Sequence, residues 1–239
     1  MLRFSFRSAA LIFALVLLCA SVTVVAQDTT PTPDGHFSNL LDSVLGTPTP
    51  TAHANTGSLP ISGFLSQVET GRLEDGGFYL GDLNAPITIV EFADWACPHC
   101  LVYRDTMYQV INDFVVPGLA RFELRMFPTA GGRQSVINGM IAECTHDQIV
   151  DDDGNPIGFW LASDVLFQLA STDRYEGDAM MSLYSRFLQV DQEIVMDCAN
   201  TLRPPQVLVD IQLGIDSGVS GTPSVMVRYA EDDAAVFID

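Results

Sequence analysis

The stretch Ile87–Cys100, I-T-I-V-E-F-A-D-W-A-C-P-H-C, constrains this chain most: an apolar strand pattern ends in two cysteines separated by Pro98 and His99. Continuous Ile, Val and Phe read as a strand covered on both faces. Beyond Pro98 the run carries Leu101, Met107, Val110, Ile111 and Phe114 at helical spacing, with Pro117-Gly118 as its stop. Proline suits the first helical turn, so Cys97 falls at a helix N-terminus. Free backbone N–H groups and the helix dipole favour an anion there, and thiol pKa values in such settings fall to roughly 3.5–7.5. Cys97 is therefore the reactive sulfur of the pair.

Arg121–Phe127, R-F-E-L-R-M-F, alternates polar and apolar residues as a second core strand would. Strand, helix and strand form a right-handed crossover unit by default. The folded domain is expected to span 76–239, opening with G-F-Y-L-G-D as a short strand and turn. About 131–202 lacks strand signals and reads as an inserted lobe of several helices. Its interruption, D-D-D-G-N-P from Asp151 to Pro156, has the residues of a tight turn, and its glycine is misplaced for a calcium loop. Gln206–Gly218 reads as a further helix. The string G-V-S-G-T-P-S-V-M-V-R-Y then gives a loop and an apolar strand, with Ala234–Ile238 as a hairpin partner. The fold class is α/β.

Upstream, Arg3 and Arg7 precede an apolar run from Ala9 to Val25. This pattern reads as a secretory signal over 1–26 cleaved after Ala26; the alternative is an uncleaved membrane anchor, since about 17 apolar residues is the lower limit for spanning. Leu18 stands before Cys19 where a lipidation signal wants a small residue. Residues 27–75 read as a tether, rich in Thr and Pro to about Pro60. Short helices are expected within it, one at Phe37, Leu40, Leu41, Val44 and Leu45 and another over Ile61–Leu73.

Export leaves Cys97, Cys100, Cys144 and Cys198 in an oxidising compartment, where thiols pair rather than hold metal. The formal net charge of −19 becomes −21 without Arg3 and Arg7, and the chain has no lysine. Such a surface argues against nucleic acid and against electrostatic binding to anionic lipid.

By itself the C-x-x-C pair admits three readings: half a structural zinc site, an inert disulfide, or a redox pair. Zinc needs two further ligands, and no second C-x-x-C exists. A two-residue loop serves a structural disulfide poorly, because closing so small a ring removes little unfolded-chain entropy. Placement at a helix end makes the bond easy to reduce, which suits catalysis.

The string G-D-L-N-A-P-I-T-I-V-E-F-A-D-W-A-C-P-H-C, followed by a helical insertion and G-V-S-G-T-P-S-V, resembles the DsbA-type thiol-disulfide oxidoreductases of the thioredoxin-fold superfamily. The resemblance covers about Phe78–Tyr229. It implies a thioredoxin-like fold, a central mixed sheet flanked by helices, with an inserted helical lobe. Residue by residue, Cys97 matches the nucleophile and Cys100 the buried resolving thiol. His99 matches the residue that stabilises the reduced thiolate, and Glu91 the buried acid that tunes proton transfer; an outward-facing Glu91 on an edge strand is the alternative. Thr222-Pro223 matches the loop whose cis-proline lies beside the redox pair and binds a client's extended segment. Trp95 is assigned to the apolar docking surface, with core packing as the alternative. Cys144 and Cys198 match a second, structural disulfide carried by some relatives, against two separate buried thiols. Relatives also close with a C-terminal helix after the final hairpin, whereas this sequence stops at Asp239: either the segment before Gly76 substitutes or the sequence is truncated.

The expected function is disulfide donation to exported client proteins with free thiols, with a membrane redox partner for reoxidation. The redox-active cysteine pair serves without a further cofactor or metal, and the protein is expected to be monomeric. It would work in the periplasm or at the outer face of the cytoplasmic membrane, secreted or N-terminally anchored. The rival readings are a reductase or isomerase of the same fold and a non-catalytic peptide-binding module.

Overall fold

The computed structural model describes residues 59–202, 204–229 and 235–238. The expected signal or anchor and the tether up to residue 58 lie outside the described residues. Among the described residues no helix is long and apolar enough to cross a membrane.

The seven-residue strand read from the sequence forms as β3 (Ile87–Ala93), in the middle of a six-stranded sheet. On one side it pairs in parallel with β4 (Ala120–Met126), and on the other antiparallel with β5 (Ser224–Tyr229). Outside β4 runs the hairpin of β1 (Thr70–Arg72) and β2 (Phe78–Leu80); outside β5 lies β6 (Val236–Ile238), within the expected Ala234–Ile238, of which Ala234 lies outside the described residues. The parallel pair needs a crossover, and helix α2 (Pro98–Val110) with a π turn over Ile111–Val115 supplies it.

Helix α1 (Ser62–Leu65) is the only helix formed within Ile61–Leu73; a strand, β1, follows where a continuous helix is expected. Val68 and Thr70 are β-branched, Gly71 admits the Tyr79 ring against its backbone, and Leu73 N–H donates to Gly77 O at 2.8 Å to close the hairpin. Gly76, at φ +85°, makes that turn possible. The folded unit thus starts before the expected boundary at Gly76, because Leu59, Ile61 and Leu65 are core residues. Ile61 N–H donates to the buried Asp164 at 3.0 Å, and Asp164 also binds Arg104 and Tyr108.

The lobe between β4 and the last helix is helical as expected: α3 (Gly132–Thr145), α4 (Gly158–Ser171), α5 (Gly177–Leu188) and α6 (Gln192–Thr201). Asp191 caps α6, its side chain accepting from the Glu193 and Ile194 amides. The D-D-D-G-N-P stretch is a turn in which Asp151 accepts from Asp153 and Asn155. Among the described residues no cluster of His, Cys, Asp or Glu is placed to hold a metal ion.

The two sheet faces are covered differently. Phe122 and Phe78 meet Trp160 and Phe159 of α4, the Phe78 and Phe159 rings stacked at 3.7 Å. On the opposite face α7 (Gln206–Asp216) brings Leu213 to Phe92, Phe127 and Met226. Gly214 lets this approach happen, since a Cβ there would strike the Phe127 ring. The polar residues of β4 are buried too. Arg125 reaches Glu123 at 2.8 Å, Asp75 at 2.9 Å and Asp210 at 3.2 Å, tying the β1–β2 hairpin and α7 to the sheet. A buried guanidinium with several carboxylates is paired and hydrogen-bonded, as burial of charge requires.

Candidate active site

Residue Cys97 has extended backbone, φ −78° and ψ 121°, and is the N-cap of α2, with Pro98 opening the helix. The Leu101 amide donates to Cys97 O at 3.0 Å, and the Cys97 amide donates to Asp94 O at 2.9 Å, so strand and helix are joined through a tight turn. Both thiols are unpaired and largely buried, 6% exposed for Cys97 and 1% for Cys100, while Pro98 and His99 are exposed.

The two sulfurs are unequal. For Cys97, partial burial pushes the thiol pKa up, but hydrogen bonding from the Thr222 side chain, the Cys100 amide and thiol, and the His99 amide outweighs it and the pKa falls. For Cys100, burial dominates and pushes the thiol up to about 12. This is the electrostatics of a helix N-terminus, where the outer sulfur meets the free His99 and Cys100 amides; Cys100 receives the Asp94 amide, but burial outweighs it.

The loop before β5 carries a cis Thr222–Pro223 peptide bond and lies against this pair, with Cys97 Sγ donating to Thr222 O at 3.3 Å. Two residues 125 positions apart in sequence are thus brought together. Glu91 sits on the β3 face that α2 covers, 2% exposed, and burial raises its pKa to about 8. Its Oε2 has no hydrogen-bond partner among the described residues. The Glu91 charge in turn raises the pKa of Tyr103, one turn beyond Cys100 along α2, after the larger effect of burial. Glu91 also lines an apolar groove of about 220 Å³ between α2, β3 and β5. The edge-strand alternative for Glu91 does not hold, because β3 is paired on both sides.

Trp95 corrects an expectation. Assigned to the docking surface, it is instead wholly buried, its ring 6.4 Å from Phe159 under the lobe. The apolar space beneath the lobe takes the indole, and the neighbouring Asp94 points into the interior as well. Cys144 of α3 and Cys198 of α6 form a disulfide, Cα atoms 5.9 Å apart.

Asp94 was not singled out by the sequence. It is fully buried, and its carboxylate accepts from the amides of Ala96 at 3.0 Å, Thr129 at 2.7 Å and Gly131 at 2.9 Å, and from the Ser135 hydroxyl. One side chain therefore holds the turn before Cys97 to the loop that follows β4. Thr129 from that loop meets Thr222, oxygen to oxygen, at 2.8 Å.

A family model described as thioredoxin (Thioredoxin_4) matches residues 74–231, more than half of the chain. The "Disulfide bond formation protein D" of Bacillus subtilis (strain 168) is 32% identical over 92 residues, a match spanning 37% of this chain and 37% of that protein. Among solved structures, Pseudomonas aeruginosa DsbA2 superposes with a TM-score of 0.54 at 22% identity, covering 67% of this chain and 84% of that one. Wolbachia pipientis alpha-DsbA1 gives 0.57 at 18% identity, covering 69% and 81%. At these identities the structural likeness speaks for the fold, with its sheet, flanking helices and inserted lobe. The chain belongs to the thioredoxin family, and within it is similar to DsbA-type proteins.

Proposed function

We propose that the protein is an extracytoplasmic thiol-disulfide oxidoreductase that introduces disulfides into exported proteins through Cys97 and Cys100. The observation that carries this reading is the inequality of the two thiols: hydrogen bonds lower the Cys97 pKa while burial raises that of Cys100 to about 12. A stabilised thiolate makes the reduced form the low-energy one, so the oxidised form tends to give its disulfide away.

In the oxidised state a client thiolate attacks Cys97 Sγ, the Cys97–Cys100 bond breaks, and Cys100 leaves with the electron pair. At a pKa of about 12 the departing thiolate takes up a proton. Glu91, with a pKa of about 8, is protonated at neutral pH and is the proposed donor, directly or through water in the groove it lines. The client's second thiolate then attacks its own sulfur in the mixed disulfide, and Cys97 leaves as thiolate. The client has lost two electrons and the enzyme holds them as a dithiol. A membrane redox partner is proposed to remove them. His99, exposed on the first turn of α2, is proposed to favour the thiolate electrostatically.

Clients are proposed to bind as an extended segment beside Thr222 and Pro223, through main-chain hydrogen bonds that tolerate many sequences. The test is a trapping experiment. Cys100→Ala should accumulate mixed disulfides between Cys97 and exported proteins, and Cys97→Ala should abolish oxidation of a reduced client; an active Cys97→Ala variant would refute the reading.

A further inference from the structure

Thr129 belongs to no motif and stands in the loop between β4 and α3, 93 positions from Thr222. Its backbone is fixed by the buried Asp94, whose Oδ2 accepts the Thr129 amide at 2.7 Å and the Gly131 amide at 2.9 Å. Its hydroxyl has one proton and two oxygens nearby, Thr222 Oγ1 at 2.8 Å and Asp94 Oδ2 at 3.4 Å. Hydroxyl hydrogen bonds run at about 2.5–3.0 Å, so only Thr222 is in range, and Asp94 Oδ2 already accepts two amides. With the Thr129 proton directed to Thr222 Oγ1, the Thr222 proton cannot occupy the same line and is left for its other side. On that side stand both thiols, since the Thr222 side chain lowers the pKa of Cys97 and of Cys100; Cys97 is the one also tied to the Thr222 backbone, its Sγ donating to the carbonyl oxygen at 3.3 Å.

From this geometry we propose that Thr129 is a positioning residue: it orients the Thr222 hydroxyl towards Cys97 and so stabilises the Cys97 thiolate. Asp94 anchors Thr129, Thr129 aims Thr222, and Thr222 donates to the sulfur. The direction agrees with the lowering of the Cys97 pKa by the Thr222 side chain. The proposal deepens the oxidoreductase reading and rests on Cys97 being its nucleophile.

The test is a titration of the thiolate absorbance of the reduced full chain, read in Thr129→Val, Thr129→Ser, Thr222→Val and the double valine variant. Cys100 titrates far higher, so the lower step belongs to Cys97. Thr129→Val should raise the midpoint, with the acid dissociation constant falling roughly fivefold, the size of one neutral hydrogen bond. Thr129→Ser, which keeps the hydroxyl, should titrate as the parent does. The double variant should go no further than Thr222→Val alone, because both changes break one chain of donors. An unchanged or lowered midpoint in Thr129→Val overturns the proposal, as does full additivity in the double variant. Urea denaturation of each variant separates a moved midpoint from a damaged fold. If the parent exchanges no disulfides, the functional reading fails and the titration still reports on Thr129; if the parent exchanges disulfides and the midpoints do not move, only the role of Thr129 fails.

Discussion

Replacing Asp94 by Asn keeps the shape of the side chain and removes only its charge and two acceptor sites, yet the structure predicts a large loss. One carboxylate oxygen accepts from the Ala96 amide and the Ser135 hydroxyl, and the other from the Thr129 and Gly131 amides. An asparagine must turn its NH₂ group towards one of these sets. Facing Thr129 and Gly131 it would leave two amides without an acceptor, so the better rotamer faces Ala96 and Ser135. Ser135 can reverse and accept, since it also has the Tyr175 hydroxyl as a partner, but the Ala96 amide cannot. One orphaned buried N–H costs about 1–3 kcal/mol, and converting two charge-assisted bonds to neutral ones costs about 1 kcal/mol more. The expected destabilisation is about 3 kcal/mol, rising to about 5 kcal/mol in Asp94→Ala, which strands all three amides. Urea unfolding at fixed redox state should show the Asn midpoint displaced by roughly 1.5 M at an unchanged slope near 2 kcal/mol per M. An Asn variant within about 0.5 kcal/mol of the parent would refute this account of the Asp94 hub.

Three other outcomes follow from the same structure. The raised pKa of Glu91, about 8 against an ordinary 4.5, means that the folded state holds a proton the unfolded state has lost between those values; stability should therefore fall as pH rises from about 4.5 to 8, and Glu91→Gln should flatten that slope in urea unfolding across the range. Glu91→Gln should also slow client oxidation by removing the proposed proton donor to Cys100, read as the rate of disulfide formation in a reduced peptide. Removing the Cys144–Cys198 bond opens a loop spanning 54 positions and should cost about 4 kcal/mol by the chain-entropy estimate, measured as a lower unfolding midpoint, while the Cys97 titration stays where it is.

Where the chemistry depends on local spacing, the sequence shows it plainly. An apolar strand running into C-P-H-C places a thiol at a helix N-terminus, whereas the meeting of the Thr222-Pro223 loop with that thiol is implied by the resemblance to DsbA-type proteins and not by spacing. Asp94 and Thr129 are invisible at that level because their meaning is made by partners 35 to 93 positions away. A single aspartate before a tryptophan gives no sign that four donors will converge on it. Trp95 misled for a related reason: an aromatic beside a redox motif suits a docking surface or a core equally, and only the lobe packing overhead decides. The alternation in Arg121–Phe127 correctly marked a strand but hid that both its faces are buried, since Glu123 and Arg125 neutralise each other inside. The start of the fold was masked by Ile61–Leu65, whose apolar residues suit a longer helix until the β1–β2 hairpin takes the residues that follow.

The central claim is that Cys97 and Cys100 form an oxidising pair, and its most direct test is the reduction potential of the full chain equilibrated against glutathione. A potential above about −200 mV, towards the roughly −120 mV of a strong disulfide donor, is the predicted result. A value near −270 mV, where thioredoxin lies, would contradict it and assign the same site to reduction.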